Sequence, residues 1–327
     1  SVVIAAQYLR LTETEAALAA RDLTRAYRER MADYSSMRAL DVWYDRIDLQ
    51  RYQDRSADPD VMAEVHKRMA DRIAEAQRKN VPEYLYPKLV ELQGEEHRIK
   101  DEPPLIFHPD ETMAVGVRSG FAEPLARYRE SLPEHVRTLY DRFRYCDLAV
   151  KVVGVGSVGT MCAVMLFMAD EHDPLFLQVK EARASVLEPY AGKSLHANHG
   201  QRVIVGQRLM QSASDIFLGW QQVVSPVDGR PRDYYVRQLR DWKGSADVDD
   251  IDAGRLFMYG RMCAWTLAKA HARSGDPIAI AAYVGTGDVL DRAIADFAHA
   301  YAEQNDLDYA ALQEAADSAR IPVRSGL

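Results

Sequence analysis

Three glycines, Gly154, Gly156 and Gly159, follow a β-branched run at GxGxxG spacing in KVVGVGSVGTMCAVMLF, residues 151–167. Glycines at such positions let the backbone approach an anion closely, because no Cβ stands in the way. The same spacing occurs in two kinds of nucleotide-binding fold, and also in hairpin turns or bulges where glycine only permits a positive φ. Residues 152–161, here called the glycine segment, therefore restrict the chain to a few folds.

The first alternative is a dinucleotide-binding fold. In this interpretation the glycine segment ends one strand and opens a helix, and Glu181 at the end of the next strand binds a ribose. The chain would then be an NAD-dependent oxidoreductase. Such a fold needs repeated strand-helix-strand units, whereas the strands after Glu181 are predicted as a hairpin preceded by a single helix. The run TMCAVMLFM is also short for a crossover helix and suits a strand.

The second alternative is the nucleotide lobe of a kinase, in which a glycine-rich hairpin covers the phosphates and the next strand supplies a lysine. The sequence predicts a hairpin around the glycine segment, the strand LFLQVK ending at Lys180, a helix over 199–212, and two strands joined by SPVDGRPR. Gln238, at the end of the last strand, would lie where backbone groups meet an adenine. Lys180 would pair with phosphates that accept hydrogen bonds from the backbone amides of Gly154, Gly156, Ser157 and Gly159.

The segments on either side of this lobe are predicted to be helical. Residues 1–143 are predicted as almost entirely helical, with a capping box at Thr12 and Glu15 and prolines that interrupt regular structure over 80–120. Residues 144–243 are β-rich, and residues 244–327 are helical again. The predicted fold class is α+β, with a small, mostly antiparallel sheet that carries a glycine-rich hairpin between largely helical regions.

Composition excludes several classes of function. The chain has 327 residues and a formal net charge of -8, which argues against general nucleic-acid binding because phosphate contacts need clustered Lys and Arg. The longest apolar run, Met161 to Ala169, is far shorter than the roughly 20 residues of a membrane span, so no membrane partner is predicted. No metal site or disulfide is predicted, and a reducing cytoplasm is expected, from the wide spacing of Cys146, Cys162 and Cys263.

Several blocks of the sequence resemble, as a set, the bacterial family called domain of unknown function 2252: VVGVGSVGT, LFLQVKEARASVLEPY, NHGQRV, GQRLMQSASDIFLGW, YYVRQLRDWKGS and LAKAHARSGD. That family is regarded as kinase-like and related to the aminoglycoside phosphotransferases. The resemblance implies a protein-kinase-like fold, ATP and Mg²⁺ as cofactors, and phosphoryl transfer to an unidentified small-molecule or protein acceptor.

The resemblance also implies catalytic motifs that this sequence lacks. Family members resemble phosphotransferases most strongly in an upstream GD-x-H-x-x-N segment and a following D-F-D segment, and neither occurs here. The expectation is a chain that begins after the catalytic part and associates with it, or a non-catalytic, pseudokinase-type nucleotide-binding module. Within HARSGD, His271 and Asp276 are the candidate catalytic residues, although closure of a helix before Pro277 is the favoured interpretation of this motif.

Overall fold

The computed structural model describes residues 1–46, 82–108, 122–154, 159–225, 229–239 and 251–323, together with residues 63, 66, 67, 70, 71, 73, 74 and 249. Among these residues the helices are α1 (Val2–Tyr8), α2 (Glu13–Ser36), α3 (Ala39–Tyr44), α4 (Pro82–Leu89), α5 (Ala122–Ser131), α6 (Glu134–Tyr140), α7 (Glu188–Ala191), α8 (His199–Met210), α9 (Ala253–Ser274), α10 (Pro277–Val284) and α11 (Val289–Asp317). The strands are β1 (Val90–Gln93), β2 (Glu96–Ile99), β3 (Ile106–Phe107), β4 (Arg144–Lys151), β5 (Cys162–Met168), β6 (Pro174–Ala182), β7 (Gly219–Val224) and β8 (Pro231–Gln238). No helix in the described part of the chain is both long enough and apolar enough to cross a membrane.

The chain folds into two compact units. Residues 1–66 and 245–327 form one unit, and residues 67–244 form the other. The first 143 residues are therefore divided between the units, and their described part contains short strands as well as the predicted helices. They include β1 and β2, which pair across a tight turn at Gly94, and the two-residue strand β3. Pro82 begins α4 and Pro87 lies inside it, so these two prolines do not interrupt regular structure as the sequence predicted.

The unit formed by residues 1–66 and 245–327 is built around α2, which contacts α1, α9, α10 and α11. The predicted capping box at its start is confirmed. The Thr12 hydroxyl accepts from the Glu15 N–H at 3.2 Å, and the Glu15 carboxylate accepts from the Thr12 N–H at 2.8 Å. Small buried residues let the helices approach closely, and they include Ala16, Ala20, Ala295 and Ala302.

The 67–244 unit contains a six-stranded sheet in the order β3-β4-β5-β6-β8-β7. Every paired neighbour in this sheet is antiparallel, which confirms the α+β class with antiparallel sheets. All seven residues of β5 are buried, because this strand has neighbours on both edges and packing on both faces. Its continuous apolar run is typical of such a central strand.

The pairing of β4 with β5 is not the arrangement that the dinucleotide-binding interpretation requires. A Rossmann loop joins a strand to a helix that crosses over to a parallel strand. Here the glycine segment instead joins two adjacent antiparallel strands, with Val150 opposite Ala163. The predicted role of Glu181 as a ribose ligand depended on that interpretation.

The two faces of the sheet are covered differently. One face packs against α5 and α6 through a core that includes Tyr128, Tyr140 and Phe167. The opposite face carries a smaller core, where Val90 and Ile99 of the β1–β2 hairpin meet residues of β4, β5 and β6. We call this second face the hairpin face. Its apolar core extends along β4 and β5 to Ile106, which pairs with Lys151 at the end of β4 where the glycine segment begins.

Candidate functional site

Three cationic side chains lie on the hairpin face near the glycine segment. Lys180 on β6 pairs with Cys162, the first residue of β5. Arg237 on β8 pairs with Gln178, two residues before Lys180 and therefore on the same face. Lys151 ends β4, one residue beyond the pair of Val150 with Ala163, so it also lies on the face of Cys162. Lys151, Lys180 and Arg237 are hereafter the cationic patch.

All three charges of the cationic patch lower the pKa of the Cys162 thiol. Cys162 is 4% exposed, and Gln178 donates a hydrogen bond to its sulfur at 3.6 Å. Burial raises the pKa of this thiol, and the rise is partly offset by Lys180, by the hydrogen bond from Gln178, and by Arg237 and Lys151. The strands thus bring three positive charges around one buried atom at the end of the sheet where the glycine segment begins and ends.

The cationic patch is not neutralised by the carboxylates that the structure describes. Arg237 donates from Nε and Nη2 to the neutral amide oxygen of Gln178, at 3.2 and 3.0 Å. Within the described part of the chain, the side chains of Lys151 and Lys180 make no hydrogen bond or ion pair. Partly buried cations without counter-charge favour binding of an anion.

Asp233 lies on the same face of β8, but it is used by the N terminus of α8. Its carboxylate accepts from Asn198 Nδ2 and from the His199 N–H, both at 2.8 Å, and from Gln222 Nε2 at 2.9 Å. A carboxylate at a helix N terminus offsets the positive end of the helix dipole. Asp233 therefore fixes α8 to the sheet and leaves the charge of the patch uncompensated.

An ion pair anchors the C-terminal end of the glycine segment. Glu181 accepts from the Met161 N–H at 3.0 Å and from Arg183 Nε at 2.8 Å, and Arg183 donates in turn to the carbonyl of Gly159. Burial by itself would raise the pKa of Glu181, but the bonds from Arg183 and Met161 outweigh it and the pKa is lowered. Gly159 has φ of 74°, a conformation that side chains other than glycine rarely adopt. The sequence around Gly159 thus specifies the shape of the segment where it joins β5.

Replacing Arg183 by methionine is expected to loosen this anchor without unfolding the unit. The Arg183 side chain is 60% exposed, so the free energy of unfolding should change by less than about 1 kcal/mol. Hydrogen exchange of the Met161 amide should become faster, because Glu181 loses the partner that orients it. Arg129→Met, which removes an exposed pair with Asp141, is the control and should leave that amide unchanged. Unaltered exchange in Arg183→Met would contradict the anchoring role.

The structure places the predicted nucleotide-binding residues as follows. Gly154 and Gly159 lie at the two ends of the loop, and Lys180 faces the hairpin side of the sheet beside them. Gly156 and Ser157 lie outside the described residues. Gln238 pairs with Leu177, so its side chain lies on the face opposite Lys180, and its backbone N–H donates to Asp215 at 2.5 Å. The Gln238 side chain therefore does not join the cationic patch.

The two candidate catalytic residues belong to the other unit, where the structure gives them structural partners. Asp276 caps α10 by accepting from the backbone N–H groups of Ile278 and Ala279, at 2.9 and 3.1 Å. His271, in the last turn of α9, lies with Nδ1 2.8 Å from the Tyr27 hydroxyl. These contacts support the interpretation of HARSGD as the end of one helix and the start of the next.

Lys151 and Arg183 were not predicted as site residues. Strand periodicity could have pointed to Lys151, because it follows Ala149 by two positions and so shares its face. Arg183 gives no such signal, since its role depends on reaching back to Gly159 across a loop. No group of three or more His, Cys, Asp or Glu side chains among the described residues could hold a metal ion, and we assign no Mg²⁺ ligand.

The fold defines an α+β protein with antiparallel sheets and a glycine segment between two neighbouring strands. The chain belongs to the family described as uncharacterized proteins conserved in bacteria, DUF2252, whose model matches residues 1–315. This confirms the family resemblance drawn from the sequence blocks. No curated protein and no solved structure matches the chain.

Proposed function

We propose that the 67–244 unit is the nucleotide lobe of an ATP-dependent phosphotransferase. In this proposal the glycine segment and the cationic patch bind the phosphates of ATP. The observation that carries it is the partly buried side chain of Lys180, which lies next to the glycine segment and makes no hydrogen bond or ion pair in the described part of the chain. The order of hairpin, lysine-bearing strand, helix and second hairpin also follows the kinase-like interpretation of the sequence.

The charge arrangement supports phosphates as the ligand. Neighbouring strands are about 4.8 Å apart, so Lys151 and Lys180, two strands apart, are spaced to contact different phosphates of one nucleotide. A lysine ammonium acts on phosphate as a compact point charge, whereas the planar guanidinium of Arg237 suits bidentate contacts. ATP would be the source of the transferred phosphoryl group, and the acceptor is a hydroxyl-bearing compound.

The test is a calorimetric titration of this chain with Mg·ATP, comparing wild type with Lys180→Met. Loss of a charge-assisted contact of about 1.5–3 kcal/mol should weaken binding by about tenfold or more. Lys193→Met removes an exposed lysine in the same unit and should bind like wild type. Equal affinity of the Lys180 and Lys193 variants would refute the assignment of Lys180. A preference for NAD(H) over Mg·ATP would refute the nucleotide class itself.

A second candidate, a non-catalytic nucleotide-binding module, is favoured by one observation about α8. The helix HGQRVIVGQRLM contains no Asp or Glu, so it offers no carboxylate to hold Lys180 as a kinase helix does. This candidate predicts binding of Mg·ATP that depends on Lys180 without release or transfer of the γ-phosphate. Measuring phosphate release at saturating Mg·ATP distinguishes the two: turnover that Lys180→Met abolishes supports the phosphotransferase, and tight binding without turnover supports the module.

A further inference from the structure

A cleft in the unit formed by residues 1–66 and 245–327 is lined by α2, α9 and the start of α11. Its volume is about 320 Å³, at the small end of the range for ligand-binding pockets. One stripe of α2 forms a wall of this cleft, and its members follow the helical spacing i, i+3, i+4 and i+7: Leu18, Arg21, Asp22 and Arg25. We call this cavity the α2 cleft.

Two buried carboxylates of the α2 cleft are already held by arginines. Asp22, which is 9% exposed, accepts from Nε and Nη2 of Arg261 at 2.5 and 3.1 Å. Asp291, which is 4% exposed, accepts from Nε and Nη2 of Arg28 at 3.1 and 2.8 Å. Two-point pairs of this kind fix the orientation of a carboxylate. Asp22 and Asp291 are therefore fixed parts of the wall that have their own counter-charges.

Two arginines of the α2 cleft keep donors for a ligand. Arg21 is exposed, and its side chain makes no hydrogen bond or ion pair in the described part of the chain. Arg25 lies one turn further along α2 and donates from Nη2 to Asp22 at 2.5 Å, while its Nε lies 3.9 Å from Glu29. Because a guanidinium carries five N–H donors, these contacts leave Arg25 able to donate to a further acceptor. Side chains at i and i+4 are neighbours, so both arginines can contact one carboxylate.

The rest of the lining favours a ligand with a single negative charge and an apolar body. Three carboxylates belong to the lining, and they repel a dianion or a polyanion more strongly than a monoanion. Asp288 carries the third of them and is matched by Arg292, whose Nε lies 3.4 Å away. Leu18 is 51% exposed and Phe257 is partly buried, so the cleft also offers apolar surface.

We propose that the α2 cleft binds a small organic monocarboxylate with an apolar body. Arg21 donates to both oxygens of the ligand carboxylate, the two-point contact that a planar guanidinium suits, and Arg25 adds a further donor. Leu18 and Phe257 contact the apolar body. This site goes beyond the proposed phosphoryl transfer and does not depend on it, because none of its residues belongs to the 67–244 unit.

The test is calorimetric titration of the chain with phenylacetate at fixed ionic strength, which holds screening constant. Phenylacetamide, its neutral isostere, should bind at least about tenfold more weakly, because it lacks the charge that pairs with Arg21. Acetate should also bind more weakly, because it lacks the ring that Leu18 and Phe257 cover. Failure of both phenylacetate and isovalerate to bind would overturn the proposal. Tighter binding of inorganic phosphate or of phenethylamine than of phenylacetate would also overturn it.

Matched variants locate the site. Arg21→Met should bind phenylacetate about tenfold more weakly or worse and unfold at the same urea concentration as wild type, because the exposed side chain has no described partner to lose. Arg320→Met is the control, since Arg320 is also exposed and without a described partner but does not line the cleft. Arg320→Met and Lys180→Met should both bind phenylacetate like wild type, which separates this site from the nucleotide lobe. Equal affinities of the Arg21 and Arg320 variants would overturn the proposal.

Leu18→Ala tests the apolar part of the cleft. This exposed side chain contributes little to the core, so the variant should fold, and its preference for phenylacetate over acetate should be smaller than that of wild type. The affinity for acetate itself should stay the same, because both arginines remain. An unchanged preference for phenylacetate would contradict the placement of the apolar body against Leu18.

Discussion

Replacing Asp147 by alanine is expected to lower the free energy of unfolding of the 67–244 unit by about 3 kcal/mol or more. Asp147 lies on β4 and is 7% exposed. One of its carboxylate oxygens accepts from the Ile99 N–H at 2.8 Å and lies 2.9 Å from His108 Nε2. Removing one partner of a buried ion pair leaves the other charge buried and unpaired, which typically costs about 3–5 kcal/mol.

Urea unfolding of matched variants measures this effect. Asp147→Asn keeps the size of the side chain and an acceptor for Ile99, so it should cost less than alanine does. Asp141→Ala breaks an exposed pair with Arg129 and should change stability by about 1 kcal/mol at most. If Asp147→Ala were no worse than Asp141→Ala, the bridge from β4 to the β1–β2 hairpin would contribute little to the fold.

The same bridge makes stability depend on pH in a defined direction. Asp147 raises the pKa of His108 above its ordinary 6.5, burial opposes that rise, and Asp101 adds to it. Burial would raise the pKa of Asp147 and of Asp101, but the bonds from His108 lower both below the ordinary 3.8. Protonated His108 stabilises the fold fully at a pH below the pKa that His108 has in the unfolded chain. This stabilisation is lost as the pH rises through the pKa of His108 in the folded protein. The ionised carboxylates of Asp147 and Asp101 stabilise the fold fully at a pH above the pKa that each has in the unfolded chain. This stabilisation is lost as the pH falls through their pKa in the folded protein.

Stability from this network is therefore fullest between about pH 4 and 6.5. His108→Asn should flatten the fall in stability between pH 6.5 and 9 that wild type shows. Urea unfolding at fixed ionic strength across this range is the measurement. A wild type and a His108→Asn variant with parallel profiles would show that His108 is not titrating in the folded state as described.

Replacing Gly200 by alanine is expected to destabilise the 67–244 unit by about 2–3 kcal/mol. A Cβ at this position in α8 would lie 2.2 Å from the carbonyl oxygen of Tyr234 and 2.7 Å from its carbonyl carbon. Both are backbone atoms of a strand paired on both sides, so α8 or β8 must shift, and such overpacking typically costs about 1–3 kcal/mol.

Gly206 in the same helix provides the matched control for Gly200. A Cβ there would meet only Met210 Cε, at an ordinary contact of 3.7 Å. Gly206→Ala should therefore stabilise the unit by up to about 1 kcal/mol, because alanine has the higher helix propensity. Opposite signs for the two substitutions in urea unfolding would establish the close approach of α8 to β8. Equal signs would contradict it.

Local signals in the sequence predicted the elements that depend on local residues. Strands β4 to β8 were predicted because β-branched and apolar runs are bounded there by glycine, proline and aspartate, and the start of α2 because Thr12 and Glu15 form a capping box. Strands β1 and β2 were missed, since each is only four residues long and lies among prolines.

The candidate site depended on contacts that no local pattern reveals. Alternation along a strand tells which residues share a face, but it does not tell which strands are neighbours. Arg237 joins Lys180 only because β6 pairs with β8 rather than with β7, the next strand along the chain. His108 and Asp147 are 39 residues apart, and Arg273 meets Trp43 from the opposite end of the sequence. Such pairs are fixed by packing and not by spacing.

The position of α2 has a consequence for synthesis of the chain on the ribosome. This helix is made early, yet three of the helices that it contacts, α9, α10 and α11, begin only at residue 253. The 67–244 unit is complete before those helices emerge, and domains generally fold as units during translation. Of the described helices that contact α2, α1 alone has been made until α9 emerges. A large part of the apolar stripe of α2 therefore stays uncovered while residues 67–244 are being made.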